Sequence, residues 1–302
     1  MRRKRMRRSP AKSIVEDDMF LRASLALGLI AAATLPASAQ SATETWKLSG
    51  LKSPESVIFD KANNRLIVGN MATFGPDGGA DGYLSIVSPD GKLVTEQWTT
   101  GLSDPKGMAI VGDTLYVADS NGLVAIGLAD GAIKATHPLD GAQFPNDVAT
   151  DGSAIYVSDL MGSAIYRFAD GKAEQWLVDP GLATPNGLFV DGSALIVGSM
   201  GTGMKPDFTF ETKGGIQSVD LASKAIAPLD GGMGVALTDG VARVGDSLVF
   251  DDNPAGTLYA WANGTATAIA TLAPGAADLW AEGNVVYVPM TQTGELIALT
   301  LE

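Results

Sequence analysis

Residues 145–177 read PNDVATDGSAIYVSDLMGSAIYRFADGKAEQWL. A proline and a polar residue open the segment, and an apolar strand begins at Val148. Ile155-Tyr156-Val157 and Ala164-Ile165-Tyr166-Arg167-Phe168 are β-rich runs, Asp170-Gly171 is a two-residue hairpin turn, and Glu174-Gln175-Trp176-Leu177 follows as a fourth strand. Four short antiparallel strands with apolar residues on both faces cannot bury themselves alone, so the segment requires neighbours of its own kind.

Those neighbours are present. The opening pattern of a proline or small residue, a polar anchor and a small or apolar residue recurs at Pro54-Glu55-Ser56, Pro105-Lys106-Gly107, Pro185-Asn186-Gly187, Thr238-Asp239-Gly240 and Ala277-Asp278-Leu279. Each is followed by a second-strand run such as Leu66-Ile67-Val68 or Val286-Tyr287-Val288, and most by a turn such as Asp90-Gly91, Asp130-Gly131 or Asn263-Gly264. Six copies at a period near 40 residues predict an all-β chain, a six-bladed β-propeller. The last copy stops after its third strand. Glu44-Thr45-Trp46 with Gly50-Leu51 mirrors Glu96-Gln97-Trp98 with Gly101-Leu102, so the N-terminal strand is expected to close the last blade and leave no open edge.

Blades 1 and 4 carry the extra length, in Asn70 to Gly82 and Ser199 to Gly214, both between second and third strands. These loops open on the face where the anchors begin, opposite one another across the tunnel. Loops gathered on one rim of a rigid scaffold are where function resides.

Outside the repeats, Arg2 to Arg8 is basic, Leu25 to Leu35 is apolar and Ala37-Ser38-Ala39 is a small-residue cleavage site. Residues 1–39 therefore read as a secretory signal peptide, with Met19 as an alternative start, and residues 40–302 as the propeller domain. The expected location is the periplasm or the medium. Without the leader the chain has 13 basic against 31 acidic side chains, which argues against nucleic acid and for cations. The apolar run is too short for a membrane span. The absence of cysteine excludes disulfides, thiol nucleophiles and thiolate metal centres, and a single histidine, His137, excludes a His-rich metal site. Glycine-rich phosphate loops and the G-x-S-x-G elbow are also absent.

The six repeats, the anchor order Glu55, Asn146, Asn186, Asp239, and segments such as Thr184-Pro185-Asn186-Gly187-Leu188 and Asp239-Gly240-Val241 resemble the gluconolactonase and regucalcin-like (senescence marker protein) six-bladed propellers, relatives of paraoxonase and diisopropylfluorophosphatase. The resemblance spans essentially the whole chain after the leader. It implies a divalent metal, usually calcium, held in the tunnel by Glu55, Asn186 and Asp239, with Asn146 as ligand or substrate contact, and hydrolysis of a lactone or phosphotriester. Two carboxylates and two amide carbonyls suit a hard cation such as Ca2+ independently of the family. Asp239 is then the candidate general base or nucleophile, with Asn146 beside it.

This sequence departs from the sugar-lactone members, which carry an arginine where Phe144 stands, and it places Lys106 in the ring. Lys106 and Phe144, together with Met71 and Phe74 of the blade 1 loop and Met204 and Phe208 of the blade 4 loop, are expected to line a substrate pocket with apolar character. The expected partner is a small molecule with an apolar portion, bound by a monomer. Two classes of function fit the residues: an exported calcium-dependent hydrolase of a lactone or related ester, and a non-catalytic propeller of the NHL type that binds a protein or peptide on its loop face.

Overall fold

A computed structural model describes residues 41–73 and 79–302. The expected leader, residues 1–39, lies outside the described residues, as does Phe74. Among the described residues, 24 strands form six antiparallel sheets of four. Blade 3 consists of Pro145–Thr150, Ile155–Asp159, Ala164–Ala169 and Lys172–Val178, paired in that order. Blades 1, 2, 4 and 5 repeat this plan from first strands Pro54–Asp60, Met108–Val111, Pro185–Asp191 and Val241–Val244.

Blade 6 takes three strands from the end of the chain, Trp280–Glu282, Val285–Met290 and Glu295–Leu301, and its fourth from the beginning, Ala42–Ser49. This closing strand pairs with Glu295–Leu301 from Ala42 opposite Leu301 to Ser49 opposite Glu295. Trp46 secures it: its ring lies 5.8 Å from that of Tyr287, and its indole N–H donates to the Pro89 carbonyl of blade 1 at 3.0 Å. The sheet edge that would otherwise end the chain is thus covered.

The six first strands pack each against the next around a closed ring, Pro54–Asp60 touching both Met108–Val111 and Trp280–Glu282. They line the tunnel, while the fourth strands form the exposed rim. Six apolar clusters fill the six spaces between neighbouring blades. Period-2 alternation explains how one strand serves two of them: in Thr114–Asp119, Leu115 and Val117 point toward blade 1, and Tyr116 and Ala118 toward blade 3. Both faces of each blade are buried, hence the continuous apolar runs. Each fully buried Leu or Val contributes about 1.5–3 kcal/mol.

In blades 2 and 4 the residue after the anchor has no room for a side chain. A Cβ on Gly187 would lie 2.2 Å from the Asp239 carbonyl oxygen of blade 5, and one on Gly107 would lie 2.5 Å from the Asp147 Cα of blade 3. The recurring glycine is therefore set by the approach of the next blade.

Two local expectations differ from the structure. Asp170-Gly171 and Asn263-Gly264 have both residues at positive φ, as a two-residue hairpin turn requires, whereas at Asp90-Gly91 and Asp130-Gly131 only the glycine does. In the former the Ser88 N–H bonds the Lys92 carbonyl and the Gly91 N–H that of Ser88, so the turn is longer by one residue. The extra length of blade 4 is partly strand rather than loop. Ala194–Thr202 and Thr212–Asp220 extend beyond the sheet as a ladder, with Gly201 opposite Lys213 and Thr202 opposite Thr212.

Candidate functional site

All first strands begin on the same face, and five of the six expected anchors converge there; the sixth, Asp278, pairs with Ser56, one residue past the Glu55 anchor, and so lies a level deeper in the tunnel. Glu55, Lys106, Asn146, Asn186 and Asp239 are buried, between 3% and 8% exposed. A cavity of about 710 Å³ opens above them, and Glu55, Lys106, Asn146 and Asp239 form part of its wall. Asn186 is recessed behind Met200, to whose sulfur its amide donates at 3.6 Å.

Carboxylates behind the ring hold this arrangement. Asp119 accepts from the Ser103 and Asp104 N–H groups, the latter at 2.7 Å, and Asp159 from those of Gln143 and Phe144. Asp251 accepts from the N–H groups of Asp239 itself, at 2.8 Å, and Gly240, at 3.0 Å. As residues ending second strands, these three aspartates read from sequence as turn formers. Their principal partners are instead the backbone leading to, or at, the anchor of the same blade.

One oxygen of each of the four expected ligands is left over. Glu55 Oε2, Asn146 Oδ1, Asn186 Oδ1 and Asp239 Oδ1 are buried without a hydrogen-bond partner. Such groups are costly, about 1–3 kcal/mol each, and native proteins satisfy nearly all of them. Thr238 Oγ1 and Asp251 Oδ2 nearby are unpartnered too; a cation would satisfy the four ring oxygens, and an all-oxygen set suits a hard one. Among the described residues no three acidic or histidine side chains form a metal cage by themselves, so the two amides are needed to complete the set.

Electrostatics points the same way. Burial, then the charge of Asp239, raises the Glu55 pKa well above the usual carboxylate range, with Lys106 opposing. Burial and then Asp147 push Asp239 up to about 7, against hydrogen bonds from Asn253 and Asn186. Without a cation the ring resists full ionisation.

Lys106 points inward. Its ammonium donates to the Asp104 carbonyl at 3.0 Å and stands 4.8 Å from the Phe144 ring centre, while desolvation lowers its pKa. Phe144, Met71 and Phe208 line the cavity with Met200 and Phe210, and Phe208 is 49% exposed. Met204 is not in the wall: the turn closed by the Lys205 N–H on the Thr209 carbonyl brings residues 207–210 to the cavity instead. Lys213, in the same wall, is paired with Asp252. His137 lies on the outer strand of blade 2, 4.4 Å from the Phe168 ring.

The sequence reading missed Asn253 and Asp147, and it placed Asp278 at the level of the anchors. Asn253 donates to Asp239 Oδ2 at 2.7 Å and to the Ala276 carbonyl at 2.8 Å, fixing the carboxylate so that Oδ1 is the free oxygen. Asp147 and Asp278 form a buried carboxyl pair beneath the ring, Asp147 raised to about 7 and Asp278 well above its ordinary range, chiefly by burial. The signal for Asp147 was available, since it occupies the position after the anchor where three other blades carry glycine. Asn253 follows Asp251-Asp252, and nothing local in the sequence indicates the reach of its amide.

No protein-family model matches the chain, and no curated protein is significantly similar to it. Solved structures do match. A propeller of unknown function from Bacteroides thetaiotaomicron superposes with a TM-score of 0.63 at 12% identity, covering 87% of this chain and 76% of its own. The catalytically inactive, histidine-to-alanine form of virginiamycin B lyase from Staphylococcus aureus with quinupristin gives 0.57 at 14% identity, covering 87% of this chain and all of its own. The PQQ-bound aldose sugar dehydrogenase from Streptomyces coelicolor gives 0.58 at 14% identity, covering 89% of this chain and all of its own. At these identities the likeness shows the fold alone, and the neighbours include a lyase and a dehydrogenase, enzymes of different chemistries.

Proposed function

We propose that this chain is an exported, divalent-metal-dependent hydrolase of a lactone or related ester, with calcium as the favoured metal. The observation that carries the reading is the single unpartnered oxygen on each of Glu55, Asn146, Asn186 and Asp239. These four residues would hold the metal. When bound, a divalent cation there supplies Lewis-acid polarisation of a carbonyl and charge to offset a developing oxyanion.

The chain's own residues supply the remainder. Asp239 is the proton acceptor for an attacking water: Asn253 fixes its orientation through Oδ2, which leaves Oδ1 free. Asn146 borders the same cavity and orients the substrate carbonyl. Lys106 brings positive charge beside Glu55 and is held over Phe144. The apolar wall of Met71, Phe144, Met200, Phe208 and Phe210 favours a substrate with a hydrophobic portion over a polyhydroxylated sugar ring.

The structural neighbours do not suggest a different chemistry for these residues. One of them is inactive as a histidine-to-alanine variant, while this chain's one histidine stacks on Phe168 away from the tunnel. Export to the periplasm or medium, and action as a monomer, are parts of the proposal. The test is metal content: the purified protein should hold one equivalent of divalent cation, and Glu55→Gln should lose it. Protein free of metal that takes up none from millimolar calcium would favour the non-catalytic binding reading instead.

A further inference from the structure

The first strands end on the face opposite the anchors, and a second cavity of about 400 Å³ lies there. Ile58, Met108, Ile110, Phe189, Val190 and Trp280 are prominent in its wall. The charged groups at its edge are paired, Lys61 with Glu282 at 3.1 Å and Asp60 with Arg65 at 2.9 Å. A smaller cavity of about 70 Å³ continues from it toward the middle of the tunnel, sharing Met108, Phe189 and Trp280 and reaching Asp147 and Asp278. Among the described residues, none lines both this pair of cavities and the one above the anchors.

Two buried donors at this end have no acceptor. The indole N–H of Trp280, which lines both cavities, is unpartnered, and so is the Nε–H of Arg243 in the wall of the smaller one. The terminal guanidinium nitrogen of Arg243 is paired with Asp191, so what is missing is a hydrogen-bond acceptor rather than a counter-charge. The anchor end lacks a donor or cation; this end lacks an acceptor. A charged acid is disfavoured because the cations at this end, Lys61 and Arg243, are already paired with Glu282 and Asp191. An apolar chamber of this size with unpartnered N–H groups at its inner part is the complement of a molecule with an apolar body and one neutral acceptor.

We propose that the cavity at the tail of the first strands binds a small, uncharged, mainly apolar molecule carrying one carbonyl or ether oxygen, its body against Ile58, Ile110 and Phe189 and its oxygen toward Trp280 and Arg243. The site is separate from the proposed metal centre and does not depend on the metal. Its ligand is an allosteric or carried molecule, or a second recognition point for compounds of the class that the anchor face accepts.

The probe is N-phenyl-1-naphthylamine fluorescence, displaced by 2-decanone, decane or decanoate. The wild type should prefer 2-decanone to decanoate by at least roughly tenfold. Trp280→Phe keeps the ring and removes the donor; it should weaken 2-decanone several-fold and leave decane unchanged. Ile110→Trp should abolish displaceable binding by filling the chamber, while Phe208→Asp at the other mouth and added chelator should leave it intact. Loss of binding in Phe208→Asp or on chelation would move the ligand to the anchor face and overturn the proposal, as would no displacement by 2-decanone or an equal effect of Trp280→Phe on ketone and hydrocarbon. If Ile110→Trp fails to fold, the ketone-to-hydrocarbon comparison in Trp280→Phe decides.

Discussion

Asp239→Asn separates what the anchor ring costs the fold from what it does for function. In the metal-free protein, burial and the charge of Asp147 push the Asp239 carboxyl from 3.8 to about 7. An acid whose pKa is raised on folding binds its proton more tightly in the native state than in the unfolded chain. Stability therefore falls as pH rises through the interval from about 4 to about 7, and the loss is complete above it. Between pH 5 and pH 8 this group alone costs about 2–3 kcal/mol. Asparagine is isosteric, does not titrate and still offers an oxygen to the Asn253 amide. Urea unfolding with chelator present should thus show wild-type stability falling from pH 5 to pH 8, and a shallower fall in the variant, with Asp147, also near 7, supplying the remaining slope. At pH 8, above both pKa values, the chelated variant should be the more stable protein by up to about 4 kcal/mol. Calcium should narrow the gap: at 100 times its Kd it adds about 2.7 kcal/mol to the wild type and nothing to the variant. A wild type whose stability is flat from pH 5 to pH 8 in chelator, or a variant no more stable than wild type at pH 8, would refute the reasoning.

Other consequences are equally direct. Gly187→Ala places a methyl 2.2 Å from the Asp239 carbonyl; it should lower stability by roughly 1–3 kcal/mol and weaken calcium binding as well, measured by thermal unfolding with and without metal. Deletion of the chain through Lys47 removes most of the closing strand and Trp46, and should give an aggregating or unfolded product; an unchanged melting temperature would disprove the closure by this strand. Asn253→Ala frees Asp239 Oδ2 and should reduce calcium affinity by roughly 5- to 30-fold, the effect of losing a charge-assisted hydrogen bond, with little loss of melting temperature in chelator; equal affinity in calcium titrations would contradict its positioning role. Phe144→Arg should shift preference from an alkyl-substituted lactone toward gluconolactone, and an unchanged ratio of kcat/KM values would remove Phe144 from the substrate pocket.

Most of the architecture was legible because each blade repeats the same local chemistry. Alternation in runs such as Leu115 to Ala118, turn residues such as Asn263-Gly264, and the split of the sixth copy between the chain ends are all encoded within short segments. The anchors were legible for a related reason, since a polar residue at one register of every first strand must face the tunnel. What could not be read depends on contacts between segments far apart in the chain. Asp147 meets Asp278 across the tunnel and Lys213 pairs with Asp252 of the next blade, while Asn253, only 14 residues from Asp239 in the same blade, depends on the direction its amide takes. Met204 was misplaced for a different reason: the tight turn at residues 205–209 rotates the loop so that Phe208 and Phe210, rather than Met204, reach the cavity.

The most direct measurement is hydrolysis of an alkyl-substituted lactone, an aryl ester and a phosphotriester by the purified protein in calcium, then in excess chelator, then with calcium restored. The account predicts turnover of at least the lactone or the ester, lost on chelation, recovered on re-addition and absent in Glu55→Gln. Turnover that persists in chelator, or that Glu55→Gln retains, would contradict it, as would a calcium-loaded protein that hydrolyses none of the three.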